Sequence, residues 1–113
     1  MPPRQAKQKR MAIKLIWTPR AEEYLIGIYS FIALDSLAAA DRILAKLESG
    51  VEMLARNPRL FQRRPDIRPA TRILIEGAYL VLYEIHPDTD DKPVREVEIV
   101  RVVDDRRDLK NLL

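Results

Sequence analysis

Apolar and polar positions along the chain change period twice, and each change marks an element. Ala12 to Trp17 sets Ile13 and Leu15 against Lys14 and Ile16, a short strand pattern that stops at Thr18-Pro19. Thr18 suits an N-cap, Pro19 the first helical position, and Glu22 and Glu23 the positive end of a helix dipole. A helix is therefore expected from Pro19 to Leu34. Its stripe of Tyr24, Leu25, Ile28 and Ile32 is flanked by a second one of Ile26, Tyr29 and Ala33, with Phe31 adding width. Only Glu22, Glu23, Gly27 and Ser30 are left for water, where a surface helix keeps about half its circumference polar. Either the helix is buried on two sides within its own domain, or a second protein covers part of it.

Asp35-Ser36 re-caps the chain, and Leu37 to Arg56 repeats Ala40, Ile43, Leu44, Leu47, Val51 and Leu54 at helical spacing before Asn57-Pro58 ends it. Its outer face is charged, and Gly50 within it costs about 1 kcal/mol relative to alanine. The short junction predicts an antiparallel helical hairpin. Three strand patterns follow: Ile73 to Ile75, then Tyr79 to Ile85 after the turn Glu76-Gly77-Ala78, then Val94 to Val103 after the polar loop 87–93. In the middle strand Tyr79, Val81, Tyr83 and Ile85 oppose Leu80, Leu82, Glu84 and His86. A strict alternation in the last strand would place Val97, Ile99, Arg101 and Val103 together. The expected fold is α+β, in the order β-α-α-β-β-β, with the helical hairpin packed on a small antiparallel sheet. Asp104 to Leu113 either caps the sheet as a short helix through Leu109, Leu112 and Leu113 or stays available to a target.

The 113 residues suffice for one domain and its core. Residues 1–10 carry Arg4, Lys7, Lys9 and Arg10 without apolar periodicity and are expected to be a disordered basic tail, or an over-extended start before Met11, leaving one domain over 11–113. Removing those four charges from the net +3 leaves 16 basic against 17 acidic residues, or −1. The pI near 9.4 is thus no argument for a nucleic-acid-binding body. The absence of cysteine rules out disulfides and fits a reducing cytoplasm. No apolar run approaches the ~18 residues of a membrane span, so a soluble, cytoplasmic protein without membrane contact is expected.

Few motifs carry chemistry. His86, the single histidine, stands at a strand end without a nucleophile beside it in the sequence. Glycines at 27, 50 and 77 cannot form a phosphate-cradling loop, and the run from Asp88 has Pro93 where a calcium loop needs glycine. No cofactor or metal is implied. One dense basic cluster remains, with Arg56, Arg59, Arg63, Arg64, Arg68 and Arg72 against Asp66 alone, reading as a solvated loop or as an anion-contacting surface.

Several stretches in this order resemble the RelE/ParE toxins of bacterial type II toxin-antitoxin systems, in particular the ParE branch. They are Trp17-Thr18-Pro19-Arg20-Ala21, Leu54-Ala55-Arg56-Asn57-Pro58, Arg72, Tyr79 to Tyr83, Val100-Arg101-Val102-Val103 and Arg106-Arg107-Asp108. The resemblance implies the same element order and a ParD-like antitoxin whose carboxy-terminal segment wraps the toxin. Operator DNA would be contacted only through that antitoxin. It implies DNA gyrase as the toxic target of a non-enzymatic poison; the alternatives are a ribosome-dependent mRNA interferase of the RelE kind and an inactive member kept for partner binding or co-repression. Asp104 and Asp105 stand where the family often has histidine and glycine, which weakens the nuclease alternative by removing an acid/base group. Tyr24, Ile28, Tyr29, Ile32, Arg72, Tyr79 and Tyr83 are the expected antitoxin contacts, and Arg101, Arg106, Arg107 and Lys110 the expected target contacts.

Overall fold

In the computed structural model, which describes residues 13–104, strand β1 (Lys14–Trp17) leads into helices α1 (Pro19–Ala33) and α2 (Leu37–Arg56). Strands β2 (Arg72–Glu76), β3 (Tyr79–His86) and β4 (Glu96–Asp104) complete the set. The element order is the expected one. Both helices start where the sequence places a cap: the Thr18 hydroxyl accepts from Ala21 N–H and the Ser36 hydroxyl from Ala39 N–H, each at 3.1 Å, and such caps contribute about 1 kcal/mol apiece. The helix junction is Leu34, Asp35 and Ser36, one residue longer than the sequence suggests.

The sheet order is β1-β4-β3-β2. β2 and β3 form a hairpin through Gly77 and Ala78, with Gly77 at φ 61 and no positive φ at Ala78, the pattern of a type II′ turn. β3 pairs antiparallel with β4, but β1 runs parallel to β4, Lys14 opposite Glu96. The sheet is therefore mixed rather than wholly antiparallel. This follows from connectivity, since α1 and α2 carry the chain over one face before it re-enters the sheet, a crossover long enough to permit parallel neighbours.

A bulge corrects the face assignment of β4. Tyr83 pairs with Ile99 and Leu82 with Arg101, leaving Val100 without a partner on β3. Beyond it the alternation inverts. Val97, Ile99 and Val102 face the helices with Val81, Tyr83 and Ile85, while Val103 joins Ile73, Leu80 and Leu82 on the opposite face, with Ile67 against them. On the helix side Leu47, Val51 and Leu54 of α2 are fully buried against the sheet, each contributing roughly 1.5–3 kcal/mol by removal from water. Gly50 lies on this face because β2 leaves no room: a Cβ there would meet Leu74 Cδ2 at 2.9 Å.

The bulge also anchors α1. Thr18 N–H donates to Ile99 O at 3.1 Å, and the Thr18 hydroxyl donates to Val100 O at 3.2 Å. The start of α1 is thereby tied to the irregular part of β4, which brings Tyr24 beside Arg101.

Candidate partner-binding surface

The surplus of apolar residues on α1 is not absorbed by the core. Ala21 is the only fully buried residue of this helix, and Ile26, Phe31 and Leu34 are 63%, 64% and 86% exposed, continued by Leu37 at the start of α2. Burial on two sides within the domain is thus only partial: α1 packs on α2 and β4, Tyr29 and Ala33 of the second stripe are half-buried, and Ile26 and Phe31 turn outward. Several large apolar side chains left exposed on one helix and the start of the next make this region a candidate interaction site.

Beside the exposed stripe runs a cleft of about 420 Å³, with Tyr24, Gly27, Ile28 and Phe31 of α1 on one wall and Tyr79 and Asp104 on the other. Gly27 is a signal the sequence reading passed over. A Cβ at this position would touch nothing within 4 Å, so packing does not require the glycine. It nonetheless costs about 1 kcal/mol of helix stability, and what it leaves is space in the cleft.

Of the seven expected antitoxin contacts, Tyr24, Ile28 and Tyr79 line this cleft. Ile32 is half-buried away from it. Tyr29 donates its hydroxyl to Asp41 Oδ1 at 2.6 Å, pinning α1 to α2, and this carboxylate holds the phenol above its usual pKa. Arg72 and Tyr83 are corrections. Arg72 is 7% exposed and Tyr83 is completely buried, so neither offers a surface to a partner. Tyr83 donates to Pro58 O at 3.3 Å, and burial raises its phenol above the ordinary value. Arg72 donates to Phe61 O at 2.5 Å and to Asp88 Oδ1 at 3.0 Å. Both side chains hold the loop 57–71 on the sheet.

The same accounting removes most of the basic cluster as an anion surface. Arg63 binds both carboxylate oxygens of Asp88, Arg64 those of Asp66, and Arg59 the carbonyls of Thr89 and Lys92. Hydrogen bonds from Arg63 and then Arg72 keep the Asp88 carboxyl below its usual pKa against the opposing effect of burial, and Arg64 does the same for Asp66. These partners lie in the loop 87–93 for Arg59 and Arg63, a pairing invisible in a list of local charges. Arg56 and Arg68 remain without an ion pair among the described residues.

Arg101 was expected to reach a target, and it is turned inward toward α1. Its guanidinium donates to the Tyr24 hydroxyl at 2.5 Å and lies 4.7 Å from the ring centroid. Hydrogen bonds from Arg20 and then Arg101 lower the Tyr24 phenol below its ordinary pKa. Glu84, His86 and Glu98 bring three potential ligand atoms within 4.8 Å on β3 and β4, with His86 Nε2 2.9 Å from Glu98 Oε1. Arg106, Arg107, Lys110, the basic tail and the carboxy-terminal helix option lie outside the described residues.

A family model described as the ParE toxin of the type II toxin-antitoxin system parDE matches residues 15–109. Among solved structures, the chromosomal ParDE toxin-antitoxin system from P. aeruginosa matches with a TM-score of 0.62 and 21% identity, over 81% of this chain and 95% of that one. At that identity the structural match speaks for the fold. No curated protein matches. With the family pattern running from β1 past the end of β4, the chain belongs to the ParE toxins of type II toxin-antitoxin systems.

Proposed function

We propose that this toxin is a non-enzymatic, cytoplasmic poison of DNA gyrase, silenced by a ParD-like antitoxin whose carboxy-terminal segment lies along α1. Operator DNA is then reached only through the antitoxin. The observation that carries the antitoxin half is the exposed run of Ile26, Phe31, Leu34 and Leu37 beside the Gly27 cleft. A segment that folds on binding covers such a stripe with apolar anchors at helical spacing. The gyrase half is supported by the family alone. Its competitor, ribosome-dependent mRNA cleavage, would need Arg72, Tyr79, Tyr83 and arginines of the loop 56–68 to cradle phosphates; Arg72 and Tyr83 are committed to the core, and Arg59, Arg63 and Arg64 are engaged with carbonyls or carboxylates of their own chain.

Two measurements test the two halves. Ile26→Asp and Phe31→Asp should leave the circular dichroism spectrum intact and weaken antitoxin binding at least tenfold, the loss expected from about 1.4 kcal/mol of buried apolar contact. Unchanged affinity in both variants would place the antitoxin elsewhere. Expression without antitoxin should produce double-strand DNA breaks and intact mRNA; cleaved mRNA with unbroken DNA would reverse the target assignment.

A further inference from the structure

The arginines left over when the ion pairs are counted are not scattered. Arg20 at the start of α1, Arg68 in the loop 57–71 and Arg101 on β4 converge on one pocket of about 410 Å³, floored by Ile67, Leu82 and Val100. No acidic residue lines it among the described residues. The guanidiniums are far from satisfied. Among the described residues Arg101 donates only to Tyr24, and its buried Nε has no acceptor. Arg20 shares the Tyr24 hydroxyl with Arg101 and stands 6.0 Å from that ring, and Arg68 has no ion pair among the described residues. The hydroxyls of Thr18 and Thr71, also on the rim, are engaged with Val100 O and Glu84. Three like charges facing one concavity repel one another. Each retains planar forked donors suited to a carboxylate or phosphate.

We propose that this pocket is an oxyanion site that receives the carboxylate of an acidic residue in an apolar peptide segment. It rests on the reading of α1 as a docking surface and adds to it the chemistry of the ligand. A peptide is favoured over a nucleic-acid backbone for two reasons. The nearby Arg59, Arg63 and Arg64 are engaged with carbonyls or carboxylates of their own chain, so among the described residues the pocket is a point of positive charge and not part of a basic track. It also adjoins the α1 cleft, because Arg20 borders both the pocket and a shallow concavity shared with Pro19, Glu23 and Tyr24, and Glu23 and Tyr24 line the cleft itself. From Phe31 to Arg20 the α1 surface spans roughly 16 Å at 1.5 Å per residue. The carboxylate should therefore follow or precede an apolar anchor by about five residues of extended chain or about eleven of helix.

The test is a titration of the antitoxin-free full chain, followed through the arginine Nε–Hε resonances. The probes are an acetylated, amidated peptide with one leucine and one glutamate five residues apart, its glutamine counterpart, and a single-stranded oligothymidylate. The glutamate peptide should shift the Arg20, Arg68 and Arg101 signals together and saturate. Its glutamine counterpart, or the variants Arg20→Gln and Arg68→Gln, should each weaken binding by about threefold to tenfold, as for partly exposed charge-assisted hydrogen bonds. Shifts absent with every probe, or equal affinity for glutamate and glutamine peptides, overturn the site. Tighter binding of the oligonucleotide overturns the peptide assignment. Antitoxin affinity measured on the same variants separates this from the α1 reading. Antitoxin sensitive to Phe31→Asp, with a silent pocket, refutes the site alone. A responsive pocket with antitoxin insensitive to Phe31→Asp refutes the α1 reading alone.

Discussion

Replacing Asp88 with alanine is expected to destabilise the fold more than removal of any other acid paired with an arginine in the loop 57–71. Asp88 accepts from Arg63 Nε at 3.1 Å and Nη2 at 2.8 Å, and from Arg72 Nη2 at 3.0 Å. Its two partners differ in surroundings: the Arg63 side chain is 45% exposed and that of Arg72 only 8%. The exposed half is screened by solvent and contributes little. The buried half dominates, because alanine leaves the Arg72 charge with a single carbonyl partner and an Nε that already lacks an acceptor. Orphaning a buried charge costs about 3–5 kcal/mol, a large share of a total stability on the order of 5–15 kcal/mol. Urea denaturation followed by circular dichroism should show this loss, while Asp66→Ala, which breaks a pair exposed on both sides, should leave stability close to that of the parent. The Asp88 carboxyl is held below its usual pKa in the folded state, chiefly by Arg63. Its stabilisation is therefore present above the unfolded value of about 3.9 and lost as pH falls from there through the folded pKa. The stability difference between the parent and the alanine variant should shrink across that window. If Asp88→Ala costs no more than Asp66→Ala, or the difference ignores acid, the account of Arg72 as a buried anchor is wrong.

Gly27→Ala should raise stability by about 0.5–1 kcal/mol in thermal unfolding, since a Cβ there meets nothing within 4 Å, whereas Gly27→Leu should fill the cleft and weaken antitoxin binding. Gly50→Ala should instead destabilise: the 2.9 Å approach to Leu74 brings overpacking of about 1–3 kcal/mol against a propensity gain of about 1 kcal/mol. A Leu74→Ala background should convert the effect into a gain. Tyr83→Phe removes one buried hydrogen bond to Pro58 and should cost about 0.5–1.5 kcal/mol without altering antitoxin affinity; a change in affinity alone would restore Tyr83 as a partner contact.

Elements whose pattern is local were legible before any coordinates. The caps Thr18 and Ser36, the end of α2 at Arg56 and the turn at Gly77 each follow from side chains within a few residues of one another. The excess of apolar positions on α1 was legible too, and its exposure was one of the two outcomes that excess allowed. What could not be read depends on partners distant in sequence. The bulge at Val100 hides because β4 carries branched apolar residues on both faces, so inverting the alternation leaves no mark in composition. Arg63 and Arg72 look like free cations until the loop 87–93 folds Asp88 onto them. Arg72 and Tyr83 were placed at an interface by the family resemblance, which does not say what covers them. Here the loop 57–71 covers them instead.

The parallel pairing of β1 with β4 also governs when this toxin can exist during its own synthesis. Among the described strands β1 leaves the ribosome first, and its one neighbour in the sheet, β4, is made last, Lys14 waiting for Glu96. Contacts of such sequence separation slow folding. Until β4 arrives, β1 has nothing to pair with and β3 presents an open edge to other chains. A nascent or truncated chain ending before Glu96 is accordingly not a weaker toxin but an incomplete, aggregation-prone one. Arg101 and the Val100 carbonyl that fixes α1 arrive with the same strand, so the candidate partner-binding surface is assembled only once β4 is made, and an antitoxin has no finished target to capture before then.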